Sequence, residues 1–127
     1  MIRHLRIVDS ITELSASDEG CVAVSGSHGG LSSARYALAA RPWLTIFNDA
    51  GIGREQAGVA GLDVLASAGL AACAVSHLSA CIGQASSTLS DGVISAVNPP
   101  ARALGLEPGQ RVQVIVARYC RPDDRKL

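Results

Sequence analysis

The sequence predicts a single three-layer α/β domain on a mainly parallel sheet, Rossmann-like or flavodoxin-like in outline. Two observations predict it. Short apolar runs alternate with helix-forming segments in the order strand, helix, strand, helix, strand, which favours crossover connections onto a parallel sheet. Three of those runs, at 21–25, 44–47 and 70–75, each stop abruptly in a small polar cluster. Parallel strands would deliver all three clusters to one carboxyl edge, where open α/β sheets hold their ligands.

The opening stretch Ile2 to Leu14 mixes apolar and charged residues, and Ile7-Val8 or Ile11-Thr12 is expected to seed a short strand. A turn-rich stretch, Ser15 to Gly20, precedes the apolar run Cys21 to Ser25, which reads as a buried strand running into the loop Gly26-Ser27-His28-Gly29-Gly30. A helix is expected over Ala34 to Ala40, with Ser32 or Ser33 as N-cap and Pro42 as the stop. Trp43 to Phe47 returns to strand composition and ends in the turn from Asn48 to Gly53. From Arg54 to Ala68, Val59, Leu62, Leu65 and Ala66 recur at helical spacing, with Gly69 placed as a C-cap. Gly58 and Gly61 inside that helix imply close approach to another backbone, in the sheet or in a second subunit.

Leu70 to Val75 is the third strand, and Ser79 to Asp91 reads as a long loop over the carboxyl edge with room for a helical turn at its start. Val93 to Val97 follows as a short strand. Asn98 is expected to cap a helix that starts with Pro99 and ends at Gly105. The alternation Val112, Val114, Val116 suggests a final strand over 111–119 near an edge, and Arg121 to Leu127 a flexible charged tail.

Eleven basic residues balance eleven acidic ones, so no net field draws in nucleic acid or an anionic membrane surface. No apolar run approaches the roughly 20 residues a spanning helix needs, and no signal-like segment opens the chain; a cytoplasmic protein is expected. With 48% hydrophobic but only 3% aromatic residues, the core must be Ala, Val, Leu and Ile, which favours close packing and symmetric assembly into a homo-oligomer. Cys21 and Cys73 fall inside apolar runs as core residues, Cys81 lies in a polar segment, and Cys120 reads as peripheral.

The candidate site follows from the strand ends. His28, Asp49 and His77 are the candidate catalytic residues, with Asp49 and His77 as a proton-transfer pair and His28 as a second acid or ligand contact. Gly26, Ser27, Gly29, Gly30, Asn48, Ser76 and Ser79 are candidate ligand contacts, and Ser27 or Ser76 a candidate nucleophile. A strand-to-helix glycine loop can hold an anion on backbone N–H groups, although the same glycines can simply shape a tight turn. The loop lacks the spacing GxGxxG and a Walker lysine, so no nucleotide cofactor is indicated. Arg35, Arg54, Gln84 and Asn98 are secondary polar candidates.

The ordered set GSHGG (26–30), NDAGIG (48–53), SxxIG (79–83) and DGVISxVN (91–98) resembles a group of small, functionally uncharacterised bacterial α/β proteins, over about Val22 to Gly109. The resemblance implies no activity. It implies an arginine and an aspartate around the Ile-Gly pair, where this chain carries Cys81 and Gln84 and so lacks a charged pair.

The functional expectation is an enzyme using acid/base chemistry, of hydrolase or lyase type, on a carboxylated or phosphorylated small molecule. The alternative is a non-catalytic ligand-binding or assembly subunit. A further alternative is a metal-dependent enzyme in which His28, Asp49 and His77 are ligands.

Overall fold

A computed structural model describes residues 2–121. Five strands form one sheet: β1 (Leu5–Val8), β2 (Val22–His28), β3 (Leu44–Asn48), β4 (Ala71–Val75) and β5 (Ile94–Val97). The spatial order is β1-β2-β3-β4-β5; the first four strands are parallel and β5 runs antiparallel to β4. Neighbours in the sheet are neighbours in the chain, so the order lacks the reversal that places the ligand crevice in Rossmann and flavodoxin sheets.

The helices are α1 (Leu31–Ala40), α2 (Gly61–Ser67), α3 (Ala85–Asp91), α4 (Pro99–Ala103) and α5 (Val112–Tyr119). Successive strand residues point to opposite faces, and the two faces differ in bulk. One face presents Ala23, Phe47, Ala72 and Ala74 to Ala34, Ala37 and Ala40 of α1 and to Leu62 and Leu65 of α2. The other presents Val22, Val24, Leu44, Ile46, Cys73 and Val75 to Leu89 of α3 and to Val112, Ile115 and Val116 of α5. Small side chains on both partners of the first face let its helices lie close. Gly61 is part of that closeness, since a Cβ there would run into the Gly29 and Gly30 carbonyls and the Ala34 side chain. The close approach implied by Gly58 and Gly61 is thus made within this one chain.

The connection after β3 leaves toward the α2 face, whereas the connection after β4 leaves toward the α3 face. The outgoing chains of these two adjacent parallel strands thus diverge to opposite faces of the sheet.

Several expectations need correction. Segment 111–119 is helix α5, not an edge strand: Val112, Ile115, Val116 and Tyr119 lie at helical spacing and pack on the core, while Val114 is exposed. The valine alternation concealed that period. The expected loop 79–91 does run over the carboxyl edge, but it contains α3, whose first amide, Ala85 N–H, donates to Asp9 Oδ1 at 2.8 Å. The helix expected from Arg54 starts at Gly61, after a 3-10 turn at Arg54–Gln56, because Glu55 and Gln56 adopt φ of 56° and 57°. Strand β2 runs on to His28, and Gly30 rather than a serine is the N-cap of α1. Ile7-Val8 lies in β1, whereas Ile11 begins a 3-10 turn. Cys120 is buried rather than peripheral. The tail expected at 121–127 lies, beyond Arg121, outside the described residues.

Candidate functional site

Asp49 follows the last residue of β3 and is almost fully buried at 4% exposure. Its carboxylate is surrounded by donors. Oδ1 accepts from the Gly51 amide at 2.8 Å and the His77 amide at 3.0 Å, and Oδ2 accepts from the Ser95 hydroxyl at 2.7 Å. The His77 ring stands beside it within ion-pair distance, with Nδ1 at 3.3 Å from Oδ1. Burial pushes the carboxyl's pKa up, but the Ser95 hydroxyl, the Gly51 and His77 amides and the His77 ring outweigh it, and the net shift is downward. Asp49 is therefore an ionised carboxylate held by groups that follow β3 and β4 and by one within β5.

His77 itself is about half exposed, at 49% of its side chain, and its ring lies over Gly51. Nδ1 is the ring nitrogen within ion-pair distance of the carboxylate. Nε2 has no hydrogen-bond partner among the described residues, so the pair presents one oriented basic nitrogen to solvent.

His28 ends at the same edge but turns elsewhere. It is paired in register with Asn48, yet its Nδ1 accepts from the Gly30 amide at 3.0 Å and lies 3.4 Å from Ser33 Oγ. Its ring lines a cleft of about 330 Å³ between the 3-10 turn at Ile11–Glu13 and the start of α1, together with Ser10, Thr12, Ser27 and Tyr36. No hydrogen bond or ion pair joins His28 to Asp49 or His77 among the described residues. The structure brings Asp49 and His77 together and leaves His28 apart. The metal alternative fails on the same geometry: among the described residues, no three His, Cys, Asp or Glu side chains are grouped to hold a metal ion.

The remaining candidates are engaged within the fold. Ser27 Oγ accepts from the Ile11 amide, and Ser76 Oγ from the Leu78 amide; neither hydroxyl contacts a histidine ring, as an activated nucleophile requires. Asn48 is fully buried, bonding Ala80 O and the Ala50 amide, and Ser79 Oγ bridges Ser76 O and the Val93 amide. The Gly29 amide donates to Asn48 O, so it and the Gly30 amide are both used internally. Each glycine also has a steric cause: a Cβ on Gly26 would sit 2.5 Å from Gln84 N, and one on Gly30 2.7 Å from the His28 ring. The loop that looked like an anion cradle is largely a packing junction.

Arg35, Arg54 and Gln84 are exposed. Asn98, expected to offer a ligand contact, is instead buried at the opposite, amino edge of the sheet, where it pairs with Ala72 and Ala101. Cys21 and Cys73 are buried, and burial pushes both thiols up to about 12, which makes them unreactive. Cys81 is exposed.

Ser95 was missed in the sequence. The signal was a lone hydroxyl inside the apolar strand Ile94–Val97, but which face it served depended on a pairing irregularity that no local pattern encodes. Also unforeseen was the backbone after Asp49, where Ala50 and Ile52 hold φ of 51° and 64°. For a β-branched residue such as Ile52 that conformation is strained, and it is sustained by the Ile52 amide bonding Asp49 O at 2.7 Å.

The site thus defines an α/β protein with a carboxylate-held histidine at the carboxyl edge of its sheet. No protein-family model matches the chain, and neither curated proteins nor solved structures match it. No helix among the described residues is long and apolar enough to cross a membrane.

Proposed function

We propose that this protein is a small-metabolite enzyme performing acid/base chemistry of hydrolase or lyase type, with His77 as the proton-transfer group and Asp49 as its orienting partner. One observation carries the reading: a half-exposed imidazole stands 3.3 Å from a buried carboxylate that is kept ionised by its own hydrogen bonds. Asp49 holds the Nδ1 proton and stabilises the imidazolium, so Nε2 takes up and returns the substrate's proton. The substrate is a carboxylated or phosphorylated small molecule bound at the carboxyl edge. The Gly29 and Gly30 amides are bonded within the fold and are not open to its anionic group. His28 supplies a ligand contact from the neighbouring cleft. The same reading keeps the protein cytoplasmic and directed at small molecules rather than nucleic acid.

The test is conversion of a panel of carboxylated and phosphorylated metabolites, followed by NMR, with wild type, Asp49→Asn and His77→Ala. Loss of turnover by roughly 100-fold or more in both variants is expected. Full turnover in both would end the proposal.

A second reading, a binding or assembly subunit, is favoured by the apolar side chains around His77. Leu78 is 86% exposed and Ile82 53% exposed on the segment that crosses the edge, a placement suited to a partner surface or a second copy of the chain. In that case a ligand from the panel binds and leaves chemically unchanged, and sedimentation shows an oligomer that Leu78→Ser and Ile82→Ser disrupt.

A further inference from the structure

We infer that Ser95 is a positioning residue for the Asp49–His77 pair, aimed at the carboxylate by a bulge in β5. The inference rests on the proton-transfer reading of that pair and adds the group that sets its geometry.

The pairing of β4 with β5 runs Cys73 with Val97 and Ala74 with Ala96, then shifts so that Val75 faces Ile94. Ser95 is the residue left over. A bulge of this kind bends its strand and re-aims one side chain, and bulges collect beside functional sites. Here the re-aimed side chain reaches past the end of β4 to a carboxylate carried by β3, two strands away. The Ser95 hydroxyl lies 2.7 Å from Asp49 Oδ2 and 3.4 Å from Ala74 O. It has one proton to give, and the shorter contact to a charged acceptor takes it.

The consequence for the pair is geometric. With Oδ2 occupied by Ser95, the Gly51 and His77 amides donate to Oδ1, and the His77 ring stands 3.3 Å from that same oxygen. Among the described residues Ser95 makes the hydrogen bond to the far oxygen, and the torsion that turns a carboxylate about its own axis is broad and weakly restrained. Removing the hydroxyl leaves that torsion held through Oδ1 alone, so the carboxylate can turn and shift Oδ1 against the ring. No hydrogen bond joins Ser95 to His77 among the described residues, so its effect on that ring passes through Asp49.

The measurement is the ring-nitrogen NMR spectrum of His77 in the full chain, recorded above the ring's titration, where the neutral tautomers are read directly. The wild-type ring is expected to carry its proton on Nδ1. Ser95→Ala is expected to lower that population several-fold in favour of the Nε2–H form, Asp49→Asn to lower it as well, and Ser95→Thr, which keeps the hydroxyl on a β-branched side chain suited to a strand, to restore it. A folded Ser95→Ala protein with the wild-type ring spectrum, while Asp49→Asn alters it, overturns the inference and leaves the pair intact. A folded Ser95→Thr protein whose ring matches that of Ser95→Ala also overturns it. If Asp49→Asn leaves the ring unchanged too, the pair is uncoupled and the functional reading fails with the inference. A tautomer shift in Ser95→Ala supports the inference whether or not a substrate is turned over.

Discussion

Asp49 and Asn98 are both nearly fully buried polar residues at the ends of strands, and both tie together segments far apart in the chain, but they sit at opposite edges of the sheet. Asn98 is closed upon the fold. Its Oδ1 accepts from the Ala72 and Ala101 amides and its Nδ2 donates to Leu62 O and Leu70 O, all near 3.0 Å, so every bond ends on backbone. Asp49 ties as many partners, but one of them is a half-exposed imidazole that opens to solvent. The difference separates a residue whose bonds all close within the fold from one whose contacts reach a side chain open to solvent. Bonding alone does not distinguish them; what matters is whether the network ends on a titratable group at the surface.

The largest expected effect tests the closed member. Asn98→Ala leaves two amides and two carbonyls without partners in the interior and is expected to cost about 3 kcal/mol in denaturant unfolding, with no change in the His77 titration seen by NMR. A shifted His77 titration would mean that the two edges are coupled and the contrast is false.

Asp49→Asn comes next, at about 2 kcal/mol, because the amide presents donors to groups that already donate. The pH dependence gives the sharper signature. Asp49 has a folded-state pKa below its ordinary value of 3.8, so the stability it contributes is present above that value and is lost as pH falls through the lower folded value. Wild type should therefore lose stability on acidification below about pH 4 more steeply than Asp49→Asn, as followed by circular dichroism.

His28→Ala removes the acceptor for the Gly30 amide and is expected to cost about 1 kcal/mol while leaving the His77 titration unmoved. A moved titration would join the two histidines in one site. Ile52→Gly relieves a left-handed β-branched residue and should raise the unfolding free energy by up to about 1 kcal/mol, unless the strain serves binding, in which case ligand affinity falls as stability rises. Cys81→Ser, on an exposed thiol, is expected to change stability by less than about 0.5 kcal/mol.

Much of the architecture could be read from local chemistry. The runs at Val22, Leu44 and Ala71 are too short and apolar for helices and are flanked by turn residues, and Asn98-Pro99 carries a helix start that the Ala101 amide confirms. The parallel order then brings the carboxyl ends of β2, β3 and β4, with Asp49 and His77 just beyond two of them, to one edge. Helix α5 was hidden because valines at alternate positions satisfy a strand pattern and a helix pattern over so short a run, and only packing against the core separates them.

Chain chemistry alone, then, sufficed to place polar groups at strand ends, because side-chain period, turn residues and capping act within a few residues of one another. The pairing of Asp49 with His77 rather than with His28, the aim of Ser95 and the use of the loop glycines as packing contacts all depend on segments meeting from distant parts of the sequence. Those meetings follow from two bulged registers and a change of face between the β3 and β4 connections, and such long-range geometry leaves no trace in local spacing.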